Sequence, residues 1–171
     1  MKNTSNSSNP NLETATLAGG CFWGVEELFR TLPGVLKTQV GYTGGTLVNP
    51  TYPDVKRGDT GHAEAIEIKF DPKVVSYEDL LEYFFKLHDP TTLNRQGNDV
   101  GTAYRSAIFY HGDVQKKIAE MVLKRVNESG KWSRKVMTEI APAGMFYSAE
   151  DYHQNYLKKN PGGYTCHYLR T

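Results

Sequence analysis

Cys21 and Cys166, the two cysteines of this 171-residue chain, are its strongest candidates for chemistry. Two cysteines cannot build a disulfide framework, and in a reducing compartment such a pair is more often reactive than structural. Cys21 follows Gly19-Gly20 and precedes apolar residues at helical spacing, so we expect it at the start of a helix. The partial positive charge of that helix end stabilises a thiolate relative to a thiol. We therefore interpret Cys21 as a candidate nucleophile, with a small buried hydrophobe as the alternative.

Glycines and large rings surround this cysteine in the run Gly20-Cys21-Phe22-Trp23-Gly24. Glycine lets the backbone approach a ligand closely, and two adjacent rings can form a wall against which a methyl or thioether group packs. Rings beside a nucleophile therefore indicate a small apolar group on the substrate. Ordinary core packing is the alternative interpretation of the Phe-Trp pair.

The elements that must position these residues follow from apolar periodicities of two and 3.6, which alternate along the chain. Strands are predicted over residues 14–18, 35–42, 66–70, 104–110 and 136–141. Helices are predicted directly after Cys21, from Ser76 to Leu87, from Val114 to Val126, and over a last segment that Ser148 and Asp151 cap and Lys159 ends. The order β-α-β-β-α-β, followed by α-β-α, predicts an α+β fold. We expect a two-layer α/β sandwich whose mixed sheet has a ferredoxin-like split β-α-β core, followed by a long irregular C-terminal tail.

The polarity of the two chain ends predicts the domain organisation. Residues 1–13 are too polar to bury a core and are predicted to form a disordered arm, so that residues 14–171 form a single domain. The Asn-Pro-Gly-Gly sequence that begins at Asn160 cannot hold regular structure, which predicts that residues 160–171 are a flexible tail carrying Cys166. A loop from residue 88 to 102, rich in Gly, Asn and Asp, has a length typical of functional or mobile loops.

Charge and hydropathy exclude two classes of partner. Twenty Lys and Arg against nineteen Asp and Glu give a formal net charge of +1, whereas nucleic-acid binding requires clustered positive charge. No stretch approaches the roughly 18 consecutive apolar residues of a membrane span, and the first residues are rich in Asn and Ser rather than apolar like a signal sequence. We expect a soluble, cytoplasmic protein with no nucleic-acid and no membrane partner.

The run from Gly20 to Gly24 resembles the active-site signature of the class A peptide methionine sulfoxide reductases. Further stretches match the same family in chain order, at Asn49–Tyr52, Gly61–Glu64, His88–Thr91, Gln96–Asp99, Gly101–Ser106 and Ala149–Gln154. The resemblance extends from about Thr16 to the C-terminus. A single five-residue match can arise by chance, but ordered matches over nearly the whole domain are specific to the family.

The resemblance implies an enzyme that reduces methionine S-sulfoxide, free or in peptides, to methionine and so repairs proteins damaged by oxidative stress. Cys21 would attack the sulfur as a thiolate and end as a sulfenic acid, while Glu64 would donate a proton to the departing oxygen. The phenols of Tyr104 and Tyr52 would hydrogen-bond to that oxygen. The alternative interpretation of Tyr52 is a turn residue that follows Asn-Pro. For Glu64 to hold a proton at neutral pH, its pKa must rise above the ordinary value of about 4.3, which burial among rings does.

By the same resemblance, Phe22 and Trp23 hold the methyl group of the substrate, and Asp99 contacts the substrate backbone. Plainer interpretations of three site residues stay open. In the plainer interpretation, Glu64 is a solvated carboxylate that precedes the predicted third strand, and Tyr104 is a half-buried strand residue. Asp99 lies in a polar loop, where its side chain can simply hold a turn.

The resemblance also implies how this single catalytic domain is regenerated. The sulfenic acid on Cys21 would condense with Cys166 to a redox-active disulfide, which thioredoxin would then reduce. Many relatives carry a second tail cysteine, whereas this chain has none, so thioredoxin would attack the Cys21–Cys166 bond directly. No cofactor is implied, and we expect a monomer.

His62-Ala63-Glu64 reproduces the H-x-E fragment of zinc deaminases, but the P-C-x-x-C half of that signature is absent, so no metal site is expected. The roles of His62 and His153 stay open, since either could serve as a base for Cys21. A cysteine-dependent hydrolase or acyltransferase is therefore the alternative enzyme class. A module that binds methyl or thioether groups without turnover is the non-enzymatic alternative.

Overall fold

A computed structural model describes residues 11–170 of the chain. Its helices are α1 (Phe22–Arg30), α2 (Tyr52–Lys56), α3 (Tyr77–Leu87), α4 (Asp113–Glu128) and α5 (Tyr156–Lys159). Its strands are β1 (Glu13–Gly19), β2 (Val35–Thr43), β3 (Ala63–Phe70), β4 (Arg95–Gln96), β5 (Asp99–Val100), β6 (Ser106–Tyr110), β7 (Glu139–Pro142) and β8 (Phe146–Ser148). Residues 1–10 of the predicted arm lie outside the described residues, and β1 already begins at Glu13. Within residues 11–170, no helix combines the length and the apolar character needed to cross a bilayer.

Six strands form one mixed sheet in the order β7-β6-β1-β3-β2-β8, and β4 pairs with β5 in a separate hairpin. Strands β6 and β7 run parallel, whereas the other neighbours in the large sheet are antiparallel. Strand β3 lies between β1 and β2, which are parallel to each other because each is antiparallel to β3. With α1 and α3 as the connections, this is the predicted ferredoxin-like split β-α-β arrangement, and the predicted α+β class is confirmed.

Strand β3 shows how the two faces of the sheet differ. Ile66, Ile68 and Phe70 belong to the main core, to which α1 and α3 also contribute. Ala65 on the opposite face belongs to a smaller, alanine-rich cluster. Because successive side chains of a strand alternate between faces, Glu64 lies on the helix-covered face with the isoleucines. The sheet and the helices on this face are the two predicted layers.

Helix α3 begins at the predicted cap. The Ser76 hydroxyl accepts a hydrogen bond from the Asp79 N–H at 3.0 Å, and the Asp79 carboxylate accepts one from the Ser76 N–H at 3.4 Å. Backbone N–H groups at the start of the helix are thereby satisfied. Leu80, Leu81 and Phe84 are fully buried, so α3 covers the sheet along most of its length.

The start of β3 differs from the prediction in a way that matters for the site. The strand begins at Ala63, earlier than predicted, because Tyr42 of β2 pairs with Glu64 and extends the ladder. Glu64 therefore lies inside a strand rather than before one. Strand β7 begins later than predicted, at Glu139. The short elements α2, β4, β5 and β8 escape sequence-based prediction because they are too short to display a periodicity.

Tyr104 does not belong to the strand predicted over residues 104–110. It ends a short 3-10 turn, in which its N–H donates to Gly101 O at 3.0 Å, and β6 begins only at Ser106. Gly101 has a φ of 137°, a conformation that glycine adopts readily. The Arg105 guanidinium donates to Thr102 O of this turn at 2.8 Å and to Gly61 O at 3.0 Å, which ties the turn to the segment before β3.

The predicted last helix is interrupted. A 3-10 turn ends at His153 and α5 starts at Tyr156, because Asn155 between them has a left-handed φ of 54°. The side chain of Gln154 explains the break. Its amide donates to Val40 O and accepts from the Val40 N–H, both at 2.9 Å, and so pairs with the backbone of β2 like a strand residue.

Candidate active site

Cys21 lies where the sequence predicts it, at the start of α1. It is the N-cap residue and follows Gly20, whose φ of 98° favours glycine. A side chain at Gly20 has no room, since a Cβ there would lie 2.7 Å from Gln96. Cys21 is 8% exposed and carries a free thiol, as does the partly buried Cys166. The sulfur is therefore largely withdrawn from water but still reachable.

Burial raises the pKa of the Cys21 thiol well above its ordinary value. The negative charge of Glu64 raises this pKa further, whereas the backbone N–H of Trp23 acts in the opposite direction. Desolvation thus outweighs the helix end, which we expected to favour the thiolate. The N–H of Trp23 does act in the expected direction, but it is too weak in the protein without substrate, and Cys21 stays a thiol at pH 7.

Glu64 is 1% exposed and lies beside the start of α1. The Phe22 N–H donates to Glu64 Oε1 at 3.1 Å, so the carboxyl group is bound to the residue that follows Cys21. Burial raises the pKa of Glu64 to about 8, with the Phe22 N–H opposing this effect and the charge of Asp99 adding to it. At pH 7 most of Glu64 is therefore the neutral acid. The alternative interpretation, a solvated carboxylate, is wrong.

Two phenols lie within electrostatic reach of the thiol and the acid. Burial raises the pKa of Tyr52 to about 12, and the pKa of Tyr104 lies well above its ordinary value for the same reason. The charges of Glu64 and Cys21 raise the pKa of both phenols further, so the two phenols, the acid and the thiol lie close together. Both phenols stay protonated at physiological pH and can donate hydrogen bonds.

Helix α2 positions Tyr52. Its N-terminus is closed by a capping box, in which Thr51 accepts from the Asp54 N–H and Asp54 accepts from the Thr51 N–H. The Tyr52 N–H donates to the Glu150 carboxylate at 2.9 Å, and the Tyr42 O–H donates to the same carboxylate at 2.8 Å. Glu150 thus ties α2 to β2. Sequence reasoning missed its role, although it lies in the last stretch that matches the family.

Phe22 and Trp23 belong to one aromatic cluster. Trp23 stacks on Tyr156 with ring centroids 3.8 Å apart, and its indole N–H donates to His153 Nδ1 at 2.9 Å. The His153 ring also lies 5.1 Å from the Phe22 ring and 4.5 Å from the Tyr52 ring. The cluster therefore continues from the start of α1 to the phenol of α2. Because His153 Nδ1 already accepts the hydrogen bond from Trp23, this nitrogen is not free to act as a base for Cys21.

The chain after α5 returns to the thiol. Residues 160–170 form no further helix or strand, yet they contact the body of the protein at several points. The Tyr164 O–H donates to Asp99 Oδ2 at 3.0 Å, and Cys166 Sγ lies 3.9 Å from Gln96 O. Asp99 and Cys166 therefore lie on one surface, and the charge of either raises the pKa of Cys21. The flexibility of residues 160–171 stays a prediction.

His62 is held away from catalysis by the backbone. Its Nδ1 accepts from the Gly45 N–H at 3.0 Å, and its Nε2 donates to Leu47 O at 2.8 Å. Both ring nitrogens are thus used to fix the loop between β2 and α2. Among residues 11–170, no group of three His, Cys, Asp or Glu side chains is arranged to hold a metal ion.

A family model for peptide methionine sulfoxide reductase matches residues 13–171. The chain belongs to this family. A relative named peptide methionine sulfoxide reductase MsrA 1, from Mesorhizobium japonicum, is 60% identical over 92% of this chain and 90% of its own length. The reductase MsrA of Methanothermobacter thermautotrophicus is 59% identical over 87% and 88% of the two chains.

Solved structures of methionine sulfoxide reductases share the fold. Reduced Mxr1 from Saccharomyces cerevisiae is 40% identical and superposes with a TM-score of 0.90 over 96% of this chain and 95% of its own. Methionine sulfoxide reductase A of Corynebacterium diphtheriae, also 40% identical, gives 0.78 over 93% and 80%. Mxr1 in complex with Trx2, at 27% identity, gives 0.65 over 100% and 96%.

Membership of the peptide methionine sulfoxide reductase family confirms the resemblance and the enzyme class expected from the sequence. The hydrolase, acyltransferase and binding-module alternatives are thereby set aside. The site suits the reaction of the family, because a sulfoxide offers a polarised sulfur–oxygen bond and a small apolar group. A thiol, a neutral acid and a ring cluster are the matching features on the protein.

Proposed function

We propose that this reductase acts on the S epimer of methionine sulfoxide, free or in peptides, with Cys21 as nucleophile and Glu64 as general acid. The observation that supports these roles best is the 3.1 Å bond between the Phe22 N–H and the Glu64 carboxyl group. It holds a buried acid, protonated at neutral pH, beside the residue that follows the thiol. A buried acid with a strongly raised pKa, near a buried thiol, is typical of a functional site.

In the reductive step the Cys21 sulfur attacks the sulfoxide sulfur while Glu64 protonates the sulfoxide oxygen. The attack first joins the two sulfurs; this bond and the sulfur–oxygen bond of the substrate then break, and the oxygen ends bonded to Cys21. The products are methionine, reduced by two electrons, and a sulfenic acid on Cys21 that holds those two oxidising equivalents. As Glu64 gives its proton to the oxygen, its carboxylate takes up the proton of the Cys21 thiol, so that the sulfur reacts as a thiolate and the step releases no proton. Tyr52 and Tyr104 donate hydrogen bonds to the oxygen as negative charge develops on it.

The preference for one epimer follows from three fixed contacts. The methyl group lies against Phe22 and Trp23, the oxygen faces Glu64, and the sulfur faces Cys21. Exchanging oxygen and lone pair, as the other epimer does, breaks the second contact. The testing experiment supplies each resolved epimer with thioredoxin as electron source and measures methionine by chromatography. Methionine from the S epimer alone supports the proposal, and equal rates from both epimers contradict it.

Regeneration proceeds through a disulfide between Cys21 and Cys166, which thioredoxin reduces. Support comes from the surface that Cys166 shares with Asp99 and from the complex of the related Mxr1 with Trx2. Both cysteines are free thiols in the reduced protein, so the disulfide would form and be broken again in each cycle. Thioredoxin works in reducing compartments, which supports a cytoplasmic location, and one chain supplies all these site residues, which supports a catalytic monomer.

The Cys166→Ser variant is expected to make one methionine per chain and then stop when thioredoxin is the only reductant. Its Cys21 sulfenic acid lacks the partner thiol that turns it into a disulfide, the bond that thioredoxin attacks. Methionine is counted against enzyme in a time course, and remaining thiols are titrated at each point. Wild-type protein under the same conditions turns over continuously. Sustained turnover by the variant would show that Cys166 is not needed.

A further inference from the structure

His167 lies beside Cys166 and is the most deeply buried side chain of the last ten described residues, with 7% exposed. One ring nitrogen, Nε2, lies 2.7 Å from Gly19 O. The other, Nδ1, lies 3.8 Å from Cys166 Sγ. No role assigned so far to the site uses this imidazole.

The first of these bonds fixes which nitrogen of His167 carries the proton. A carbonyl oxygen only accepts hydrogen bonds, so the Gly19 O contact requires a hydrogen on Nε2. In the neutral ring Nδ1 is then without a hydrogen, and its lone pair is the basic site. The nitrogen closest to the Cys166 sulfur is therefore the one that can take up a proton.

Two glycines that flank Cys21 make room for this ring. A Cβ at Gly24 would overlap His167 Nδ1, and a Cβ at Gly20 would lie 3.2 Å from Nε2. The imidazole therefore packs against the first turn of α1, with Cys21 between the two glycines in sequence. The Thr165 hydroxyl accepts from the His167 N–H at 3.1 Å and holds this part of the tail in place.

The Cys166 thiol needs a base. Burial raises its pKa above the ordinary value, the Tyr164 hydroxyl opposes this effect, and the charge of Asp99 adds to it. At neutral pH the group is therefore a thiol, whereas only a thiolate attacks another sulfur efficiently. Deprotonation of Cys166 thus limits disulfide formation unless a neighbouring group accepts the proton.

We propose that His167 is the general base of the disulfide-forming step. This role rests on the proposed Cys21–Cys166 disulfide. Nδ1 takes the proton from the Cys166 thiol as its sulfur attacks the sulfenic sulfur of Cys21. The sulfur–oxygen bond on Cys21 breaks, the sulfur–sulfur bond forms, and the departing hydroxide takes the proton from His167 to leave as water. Cys166 is oxidised, Cys21 is reduced from sulfenic acid to disulfide, and the imidazole is regained.

The surroundings keep His167 in the neutral, basic form. Burial lowers its pKa, the bond to Gly19 O opposes this, the positive charge of Arg170 lowers the pKa and the negative charge of Asp99 raises it. Buried His88 is a further titratable neighbour, and burial lowers its own pKa to about 3, so that it stays uncharged. At pH 7 His167 is therefore able to accept a proton.

The test compares His167→Gln with wild type in a single turnover without reductant. Glutamine keeps an N–H that can reach Gly19 O but has no basic nitrogen. We expect methionine formation at the wild-type rate and disulfide formation slowed by about 100-fold at pH 7, with the sulfenic acid accumulating. Intact-mass measurement of quenched samples distinguishes thiol, sulfenic acid and disulfide. The difference from wild type in the rate of disulfide formation should narrow as the pH rises towards the raised pKa of the Cys166 thiol, where the thiol ionises without help.

Further variants separate a base from a merely structural histidine. His111→Gln, the same substitution at the far end of β6, should leave both steps unchanged. In His167→Ala, added imidazole should restore disulfide formation. This variant provides the test if His167→Gln does not fold. Disulfide formation at the wild-type rate in His167→Gln, or a defect of equal size at every pH without imidazole rescue, would overturn the proposal. Absence of methionine in the wild-type first turnover would instead contradict the proposed function.

Discussion

The Cys21→Ser variant is expected to form no methionine from methionine S-sulfoxide, even when enzyme exceeds substrate. A serine hydroxyl ionises far less than a thiol, and its oxygen cannot take up the sulfoxide oxygen to give a stable product. The loss should therefore be complete rather than partial. Rapid-quench measurement of methionine in a single turnover tests this, since no recycling step contributes to the result.

Cys166→Ser is the matched control for this experiment, because the same atom is exchanged at the other cysteine. It should give the wild-type yield of methionine in the first turnover. The thermal unfolding midpoint of Cys21→Ser is measured as well, because a buried hydroxyl without a partner costs about 1–3 kcal/mol and the variant must be shown to be folded. Equal first-turnover yields from wild type and Cys21→Ser would refute the role of Cys21.

The Glu64→Gln variant should form the sulfenic acid more than about 100-fold more slowly than the wild type, the lower end for a positioned general acid. Glutamine keeps a similar shape and can still accept the Phe22 N–H bond, but it cannot release a proton to the sulfoxide oxygen. Stopped-flow fluorescence or rapid quench measures this step directly. Rates within a few-fold of wild type would exclude the acid role.

The acid role of Glu64 also predicts how the rate of sulfenic acid formation changes with pH. The acid works only while protonated, so the wild-type rate of this step should fall as pH rises through about 8, the raised pKa of buried Glu64. In Glu64→Gln this fall should be absent, because no proton is lost at that position. Glu67→Gln, the same substitution on the opposite face of β3, should keep both the wild-type rate and the fall.

Strand alternation and capping made much of the fold predictable. Ile66, Ile68 and Phe70 show a period of two, and Ser76 with Asp79 caps α3 as the sequence indicates. Some elements were missed because they are too short to show a periodicity, and others because they depend on contacts between distant residues. Gln154 interrupts the last predicted helix because it pairs with β2, which no local pattern can reveal.

In the candidate site, too, local sequence predicted some features, and contacts between distant residues decided the others. The place of Cys21 at a helix start follows from local sequence, but the direction of its pKa depends on burial, which the whole fold decides. The raised pKa of Glu64 could be expected only because the family resemblance placed it near rings. His167 gave no signal beyond its position next to Cys166, since its bond to Gly19 joins opposite ends of the chain.

Because Cys21 is buried and keeps its proton, the enzyme should resist the same oxidants that convert methionine to methionine sulfoxide. Peroxide oxidises thiolates rapidly and thiols slowly, and over-oxidation to sulfinic acid is irreversible for most proteins. A buried sulfur that keeps its proton until substrate binds is therefore a poor target for peroxide. The protein should endure an oxidant burst that inactivates enzymes with exposed thiolates, and so remain available for the damage that follows.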